Sequence, residues 1–364
     1  MVDSRLTLDA EELREVRALL HLKRHPRLGD RGIKTLVDSH GSASRALAAG
    51  GAQLELLNPM PEPPPVSSWL EEGFGVLPMT SPRYPASLSD LTDPPPLLFS
   101  KGNWGHLAEP AVAIVGSRRA TEVGRRAAET MGRILSEAGV TVVSGMALGI
   151  DGAAHRGALR GGGRTVAVLG SGFRVIYPGS HRSLFREIGE RGLLLSEFLP
   201  HESALPHHFP KRNRIIAALA RAVVVVEAGR KSGALITVDH GLDLGREILV
   251  TPGSVENPQA IGSNALLREG ARVLPDPSGI LDELDELGLE RGGDGGGADG
   301  PGGTAPGIPS EHQTLWAALP VEPIGVDEVA NQASVSVTQA LAGLSALELG
   351  GWARRCPGMR FKRC

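Results

Sequence analysis

Six short apolar runs set the frame of the chain: Val112–Val115, Val140–Val143, Val166–Leu169, Leu193–Leu195, Val223–Val226 and Ile248–Val250. Five of the six are nearly continuous and rich in valine or isoleucine, the pattern of strands buried on both faces of a parallel sheet. Helical periodicity falls between them, as at Val123–Ala138 and Leu235–Leu244. Strand and helix in alternation over residues 110–280 predict an α/β domain with an extended, Rossmann-like, doubly wound sheet. Such sheets bind ligands outside the carboxyl ends of their strands. Upstream, Leu13, Val16, Leu19 and Leu20 recur at helical spacing, and a Gly/Pro-punctuated turn from His25 to Ile33 leads into a second helix. That arrangement is either a helix-hairpin-helix offering amides to a phosphate or a plain helical packing domain, and the second reading is slightly favoured.

Composition marks the boundaries. Residues 58–65 are proline-rich, and residues 66–105 carry few periodic segments and several prolines, which suits chain that wraps against the next domain. Residues 291–307 hold nine glycines and two prolines, a linker with no means of burying a core. Beyond it, Leu315–Leu319, Val326–Asn331 and Val337–Leu349 read as three helices, and a Gly350–Trp352 turn and a basic tail follow. The expected division is a helical (SAM- or helix-hairpin-helix-like) domain over 1–65, a Rossmann-like domain over 66–290, a flexible linker over 291–309 and a winged-helix-like domain over 310–364.

The chain of 364 residues has a net charge of −3, so a nucleic-acid site would have to be a local basic patch. Two stretches qualify. From Leu205 to Lys231 there are six cations (Lys211, Arg212, Arg214, Arg221, Arg230, Lys231) against Glu227, and from Gly116 to Arg126 four arginines against Glu122. Aromatic residues are only 4%, too few for a surface paved with stacking rings. The only cysteines are Cys356 and Cys364, and no Cys-x-x-Cys offers a zinc site. No run approaches the roughly 20 apolar residues of a membrane span, and the amino terminus lacks a signal peptide's apolar core. The expectation is a reduced, cytoplasmic protein without metal, cofactor or membrane contact.

The candidate chemistry lies where the strands end. Gly116-Ser117-Arg118-Arg119 follows the first run and precedes a helix, the arrangement of an anion site built from amides and a helix dipole. It lacks the spacing of a dinucleotide fingerprint or a P-loop. Gly145 lies in the glycine-rich loop after the second run and Gly170 in that after the third. Consecutive loops of small residues suggest close backbone approach by a ligand. Asp151 and His155 are four apart on one helical face; with no third ligand or nucleophile in view they read as a structural pair rather than a metal site or acid/base dyad. In Phe209-Pro210-Lys211-Arg212-Asn213-Arg214 three cations crowd a helix start, where the dipole opposes them, and an incoming anion would relieve that conflict. Phe209 either stacks a base or packs in the core. Lys231-Ser232-Gly233 opens a further helix after the fifth run.

Taken together these segments resemble the DprA/Smf family of DNA-processing proteins. The resemblance also takes in Ser144–Asp151 with His155, Ser232–Thr237, Gly245-Arg246-Glu247 running into Pro252-Gly253-Ser254, and Gly262-Ser263-Asn264 with Gly270-Ala271, over about residues 80–280. It implies single-stranded DNA binding without strong sequence preference, a role in natural transformation, loading of the RecA recombinase and a dimer, with no enzymatic activity. By motif position it makes Arg118, Lys211 and Lys231 the main phosphate contacts, expected to form one site. The segment from Val273-Leu274 to Ile280-Leu281 is expected at the sheet edge, where a partner would cover it. Two departures, His181 for the family's frequent Asn and Gly241 for its usual Ala, bear on local packing. The competing reading is a nucleotide-binding or nucleoside-monophosphate-cleaving enzyme of related fold. Its Pro-Gly-Gly-x-Gly-Thr signature is reduced here to Pro252-Gly253-Ser254, and Glu227 is the nearest carboxylate. A dinucleotide-dependent oxidoreductase is disfavoured by the missing fingerprint.

Overall fold

The computed structural model describes residues 8–25, 27–55, 66–108, 110–288, 309, 312–320, 324–333, 335–349, 352–356 and 360–363. The proline-rich segment 58–65 and the glycine-rich segment 291–307 lie outside the described residues. The chain divides into two units, Met1–Asp294 and Gly295–Cys364.

The first unit opens with helices α1 (Ala10–Arg24), α2 (Asp30–His40) and α3 (Ala43–Glu55). Asp9 starts α1 in a capping box, its carboxylate accepting from the Glu11 and Glu12 amides. Then come α4 (Val66–Glu71), β1 (Gly75–Pro78), α5 (Ala86–Ser89) and β2 (Leu97–Gly102). The α/β alternation follows as β3 (Ala111–Val115), α6 (Glu122–Glu137), β4 (Thr141–Ser144), α7 (Ile150–Arg160), β5 (Thr165–Val168), α8 (Arg182–Arg191), β6 (Leu193–Ser196) and α9 (His208–Leu219). It ends with β7 (Ala222–Val225), α10 (Gly233–Asp243), β8 (Glu247–Val250), α11 (Ile261–Arg268), β9 (Arg272–Val273) and α12 (Ile280–Glu286).

The six apolar runs are β3 to β8. They lie in a nine-stranded sheet of order β1-β2-β6-β5-β4-β3-β7-β8-β9. All pairings from β6 to β9 are parallel, and β1 and β2 extend the sheet antiparallel on the β6 edge. From β3 the chain builds outward through β4, β5 and β6, then returns to start β7 on the other side of β3. The winding therefore reverses between β3 and β7, and a crevice opens there.

Alternate residues of each strand feed opposite faces. Val112, Ile114, Val142 and Val224 pack under α6 and α7, whereas Ala113, Val115, Val143, Val223 and Val225 pack with Ile215, Ile216 and Val238 of α9 and α10. Burial on both faces explains the unbroken apolar character of these strands. The α6–α7 contact is close because it is made by glycines. A Cβ would lie 2.3 Å from the Ala154 carbonyl oxygen at Gly132, 2.0 Å from that of Glu129 at Gly157 and 2.3 Å from that of Arg133 at Gly161.

Residues 66–105 do wrap against the α/β core, but they also supply the two edge strands β1 and β2. The amino-terminal helices share a core with this edge: Val16, Leu19, Ile33 and Val37 cluster with Val76, Leu97, Phe99 and Leu194. Glu12 of α1 anchors the docking, accepting from the Ser81 hydroxyl at 2.6 Å and pairing with Arg83. Strand β9 ends the sheet as expected; Val273 is 47% exposed there, whereas Leu274 and Ile280 are buried in the core beneath α6 and need no partner to cover them.

In the second unit, α13 (Gln313–Ala317), α14 (Val326–Gln332) and α15 (Val337–Leu349) match the three expected helices. Strands β10 (Ile324–Gly325), β11 (Ala353–Cys356) and β12 (Arg360–Arg363) complete a three-stranded sheet of order β10-β12-β11. Leu315, Val329, Leu344 and Phe361 form its core, and Arg363 lies over the Trp316 ring at 4.0 Å. This is a winged helix. No helix among the described residues is long and apolar enough to cross a membrane.

Candidate nucleic-acid interface

Where the winding reverses, the loops after β3 and β7 and the start of α9 enclose a cavity of about 720 Å³. Gly116, Ser117, Arg118 and Arg119 line it from the β3 loop, Phe209, Arg212 and Asn213 from α9, and Lys231, Ser232 and Gly233 from the start of α10. Arg118, Arg119 and Lys231 are exposed, so their charges face the space. The Arg118 guanidinium sits over the Phe209 ring at 4.9 Å, and Phe209 also meets Tyr177 with ring centroids 5.3 Å apart. Phe209 is half-buried on the cavity wall, which places it at the site rather than in the core.

Arg212 forms the floor and is 3% exposed. Its guanidinium donates to the carbonyls of Gly145, at 2.8 Å, and Val168. Burial pushes its pKa down to about 10, with Asp151 acting in the opposite direction, so it stays cationic at neutral pH. Gly145 and Gly170 work from behind. A Cβ on Gly145 would lie 2.4 Å from the Arg212 guanidinium, and one on Gly170 2.9 Å from the Phe209 ring. Their lack of side chains seats the two groups that face the cavity. Asn213 ties α9 to α10 through a 3.0 Å bond from Nδ2 to the Gly233 carbonyl, and Ser232 caps α10 by accepting from the Ala234 amide.

The expected amide-and-dipole anion site after β3 is corrected. The start of α6 is already served by Glu227, which accepts from the Thr121 amide at 2.9 Å and hydroxyl at 2.6 Å, while Thr121 caps Gly124. The site's positive charge therefore comes from side chains. Glu227 also accepts from Asn257 Nδ2, 3.3 Å away. Asp151 and His155 have separate partners: Asp151 accepts from the Ala147 amide. The Thr165 hydroxyl donates to the Val142 carbonyl, so its oxygen takes the proton of His155 Nδ1 at 2.7 Å.

The cation block of α9 is divided. Phe209, Arg212, Asn213 and Ile216 fall at i, i+3, i+4 and i+7 and face the cavity. Lys211 and Arg214, three apart, face away. Arg214 is 4% exposed and grips Glu197, itself 0% exposed, at 2.7 and 2.9 Å. Lys211 lies 2.6 Å from Asp30 of α2 and 3.0 Å from Glu197. Lys211 thus does not share a cavity with Arg118 and Lys231, contrary to the expectation of a single three-cation site. The anions that relieve this helix start are carboxylates of the chain itself. Sequence reasoning missed Asp30, Glu197 and Gln259, the last of which accepts from the Ser117 hydroxyl at 2.5 Å.

A family model, DNA recombination-mediator protein A, matches residues 75–285, from β1 into α12, and a DprA winged helix domain model matches residues 301–359. The chain belongs to the DprA family. It is 44% identical over 202 residues to DNA processing protein DprA of Streptococcus pneumoniae, covering 56% of this chain and 71% of that protein. To protein Smf of Escherichia coli it is 37% identical over 299 residues, covering 81% and 80%. Its fold superposes on the solved DprA of Streptococcus pneumoniae with a TM-score of 0.64 at 33% identity, covering 77% of this chain and 98% of that one. DNA processing protein A from Helicobacter pylori, whose solved structure concerns its single-stranded DNA binding mode, gives a TM-score of 0.54 at 29% identity, covering 59% and 96%. The DprA model's match contains every element that lines the 720 Å³ cavity.

Proposed function

We propose that this protein binds single-stranded DNA without sequence preference, in the cavity between β3 and β7, and acts in DNA processing during transformation and recombination. The supporting observation is the set of Arg118, Lys231 and buried Arg212 around a half-buried Phe209, cations for phosphates beside a ring for a base. The Helicobacter pylori relative, with its single-stranded DNA binding mode, supports the same assignment. Loading of the RecA recombinase and a dimeric state follow from the family resemblance, and we infer no catalytic role, since Glu227 is committed to capping α6.

Titration with oligonucleotides of differing sequence at several salt concentrations tests the reading. With one phosphate neutralised by each of Arg118 and Lys231, both exposed, the log–log salt slope on a single strand is roughly −1.4, and equal affinities across sequences are expected. Hydrolysis of nucleoside monophosphates, measured in parallel, would support the enzymatic alternative instead. The second unit is expected to be dispensable for strand binding, because the whole motif cluster lies in the first. Removing residues 295–364 should leave oligonucleotide affinity within a few fold. A near-total loss in a variant that still melts cooperatively would assign part of the site to the winged helix.

A further inference from the structure

A second cavity, of about 540 Å³, lies on the other side of the α9 start. Pro206, Phe209 and Pro210 line the first cavity, whereas Leu205, His208 and Lys211 line the second, together with Lys23 of α1 and Asp30 of α2. Phe198 and His208 form an aromatic wall, stacked with centroids 4.0 Å apart and 20° between planes. Of this pair, His208 is 9% and Phe198 4% exposed.

We propose that this cavity is a second subsite for the same single strand, and that Asp30 is an internal carboxylate which a DNA phosphate displaces from Lys211. The inference rests on the single-strand reading of the first cavity. Only one helical turn separates the two spaces, so a strand leaving the first crosses Pro206 and Leu205 into the second. Lys211 is 35% exposed, so its ammonium can turn outward. Asp30 is not stranded when it does, because Arg214 lies 3.5 Å away and Lys23 3.8 Å away. Glu197 likewise keeps its two bonds to Arg214. The exchange gives up the contacts of Lys211 to Asp30 and Glu197 for one to a phosphate, and leaves no buried charge alone.

The test uses the full chain and oligothymidylates of about 4 and about 16 nucleotides, the range of site sizes for such grooves. Lys211→Gln should weaken binding of the longer strand, flatten its salt slope by about 0.7 and leave the shorter unchanged. Asp30→Asn should release Lys211 and tighten the longer strand roughly fivefold, the effect of removing a competing pair worth about 1 kcal/mol. It should do nothing in a Lys211→Gln background. Thermal melts establish which variants fold, and if Asp30→Asn does not, the Lys211→Gln comparison decides alone. A folded Lys211→Gln protein that binds both lengths as the parent does overturns the subsite while leaving the first cavity's role intact. A parent that binds neither length overturns the underlying reading instead.

Discussion

Replacing Arg118 and Lys231 together by glutamate is expected to reduce single-strand affinity on the order of 100-fold or more, for every sequence, in a protein that remains folded. Both side chains are exposed and line the cavity from separate loops, one after β3 and one after β7. Each loss of a phosphate contact should flatten the log–log salt slope by about 0.7, and the introduced carboxylates add repulsion toward the strand. Substitutions at such exposed positions usually move stability by no more than about 0.5 kcal/mol, so a melting curve separates lost binding from lost fold. The assignment is falsified if the folded double variant keeps the parent's affinity and slope.

The largest effect on stability is expected at Glu197. Its carboxylate is 0% exposed and holds Arg214, 4% exposed, in a two-bond pair, with Lys211 at 3.0 Å. Glu197→Gln keeps the shape but leaves a buried guanidinium without its main counter-charge, which should cost about 3–5 kcal/mol. Burial acts to raise the Glu197 pKa, but the bonds and charge of Arg214, then the charge of Lys211, outweigh it, so the carboxyl titrates below its ordinary 4.5. A carboxyl lowered by folding stabilises above its unfolded value, and that contribution is lost as pH falls below 4.5 toward the folded one. Urea denaturation across this range should show an acid limb in the parent that is shallower in Glu197→Gln. A variant within about 1 kcal/mol of the parent at neutral pH, with an unchanged acid limb, would mean that the pair contributes little to the fold.

The parallel sheet was legible because its strands are buried on both faces and written in valine and isoleucine, as at Val112–Val115 and Val223–Val226. Strands β1 and β2 were not. One is only four residues long and ends in Pro78, and prolines 94–96 precede the other. At the site, the cationic loops after β3 and β7 could be read from composition, since a doubly wound sheet brings strand ends together. The block Lys211–Arg214 misled because three cations in a row suggest one charged surface. Helical rotation by about 100° per residue sends Arg212 to the cavity and Lys211 and Arg214 to the far side. What occupies that far side was beyond local pattern. Asp30 comes from an element some 180 residues earlier in the chain, and Glu227 reaches Thr121 across 106 positions. Such carboxylates look like ordinary surface charges until the fold sets them beside a partner.

The glycines between α6 and α7 determine where this chain has room to drift. At Gly132, Gly157 and Gly161 the obstacle to any side chain is a backbone carbonyl oxygen, which cannot step aside without unwinding a helix. Arg118 and Lys231 are exposed side chains on the cavity lining. A descendant released from its ligand would be free to exchange both cations within a few mutations and would still have to keep all three glycines. Invariance along this lineage would therefore report on helix contact more faithfully than on what the protein holds.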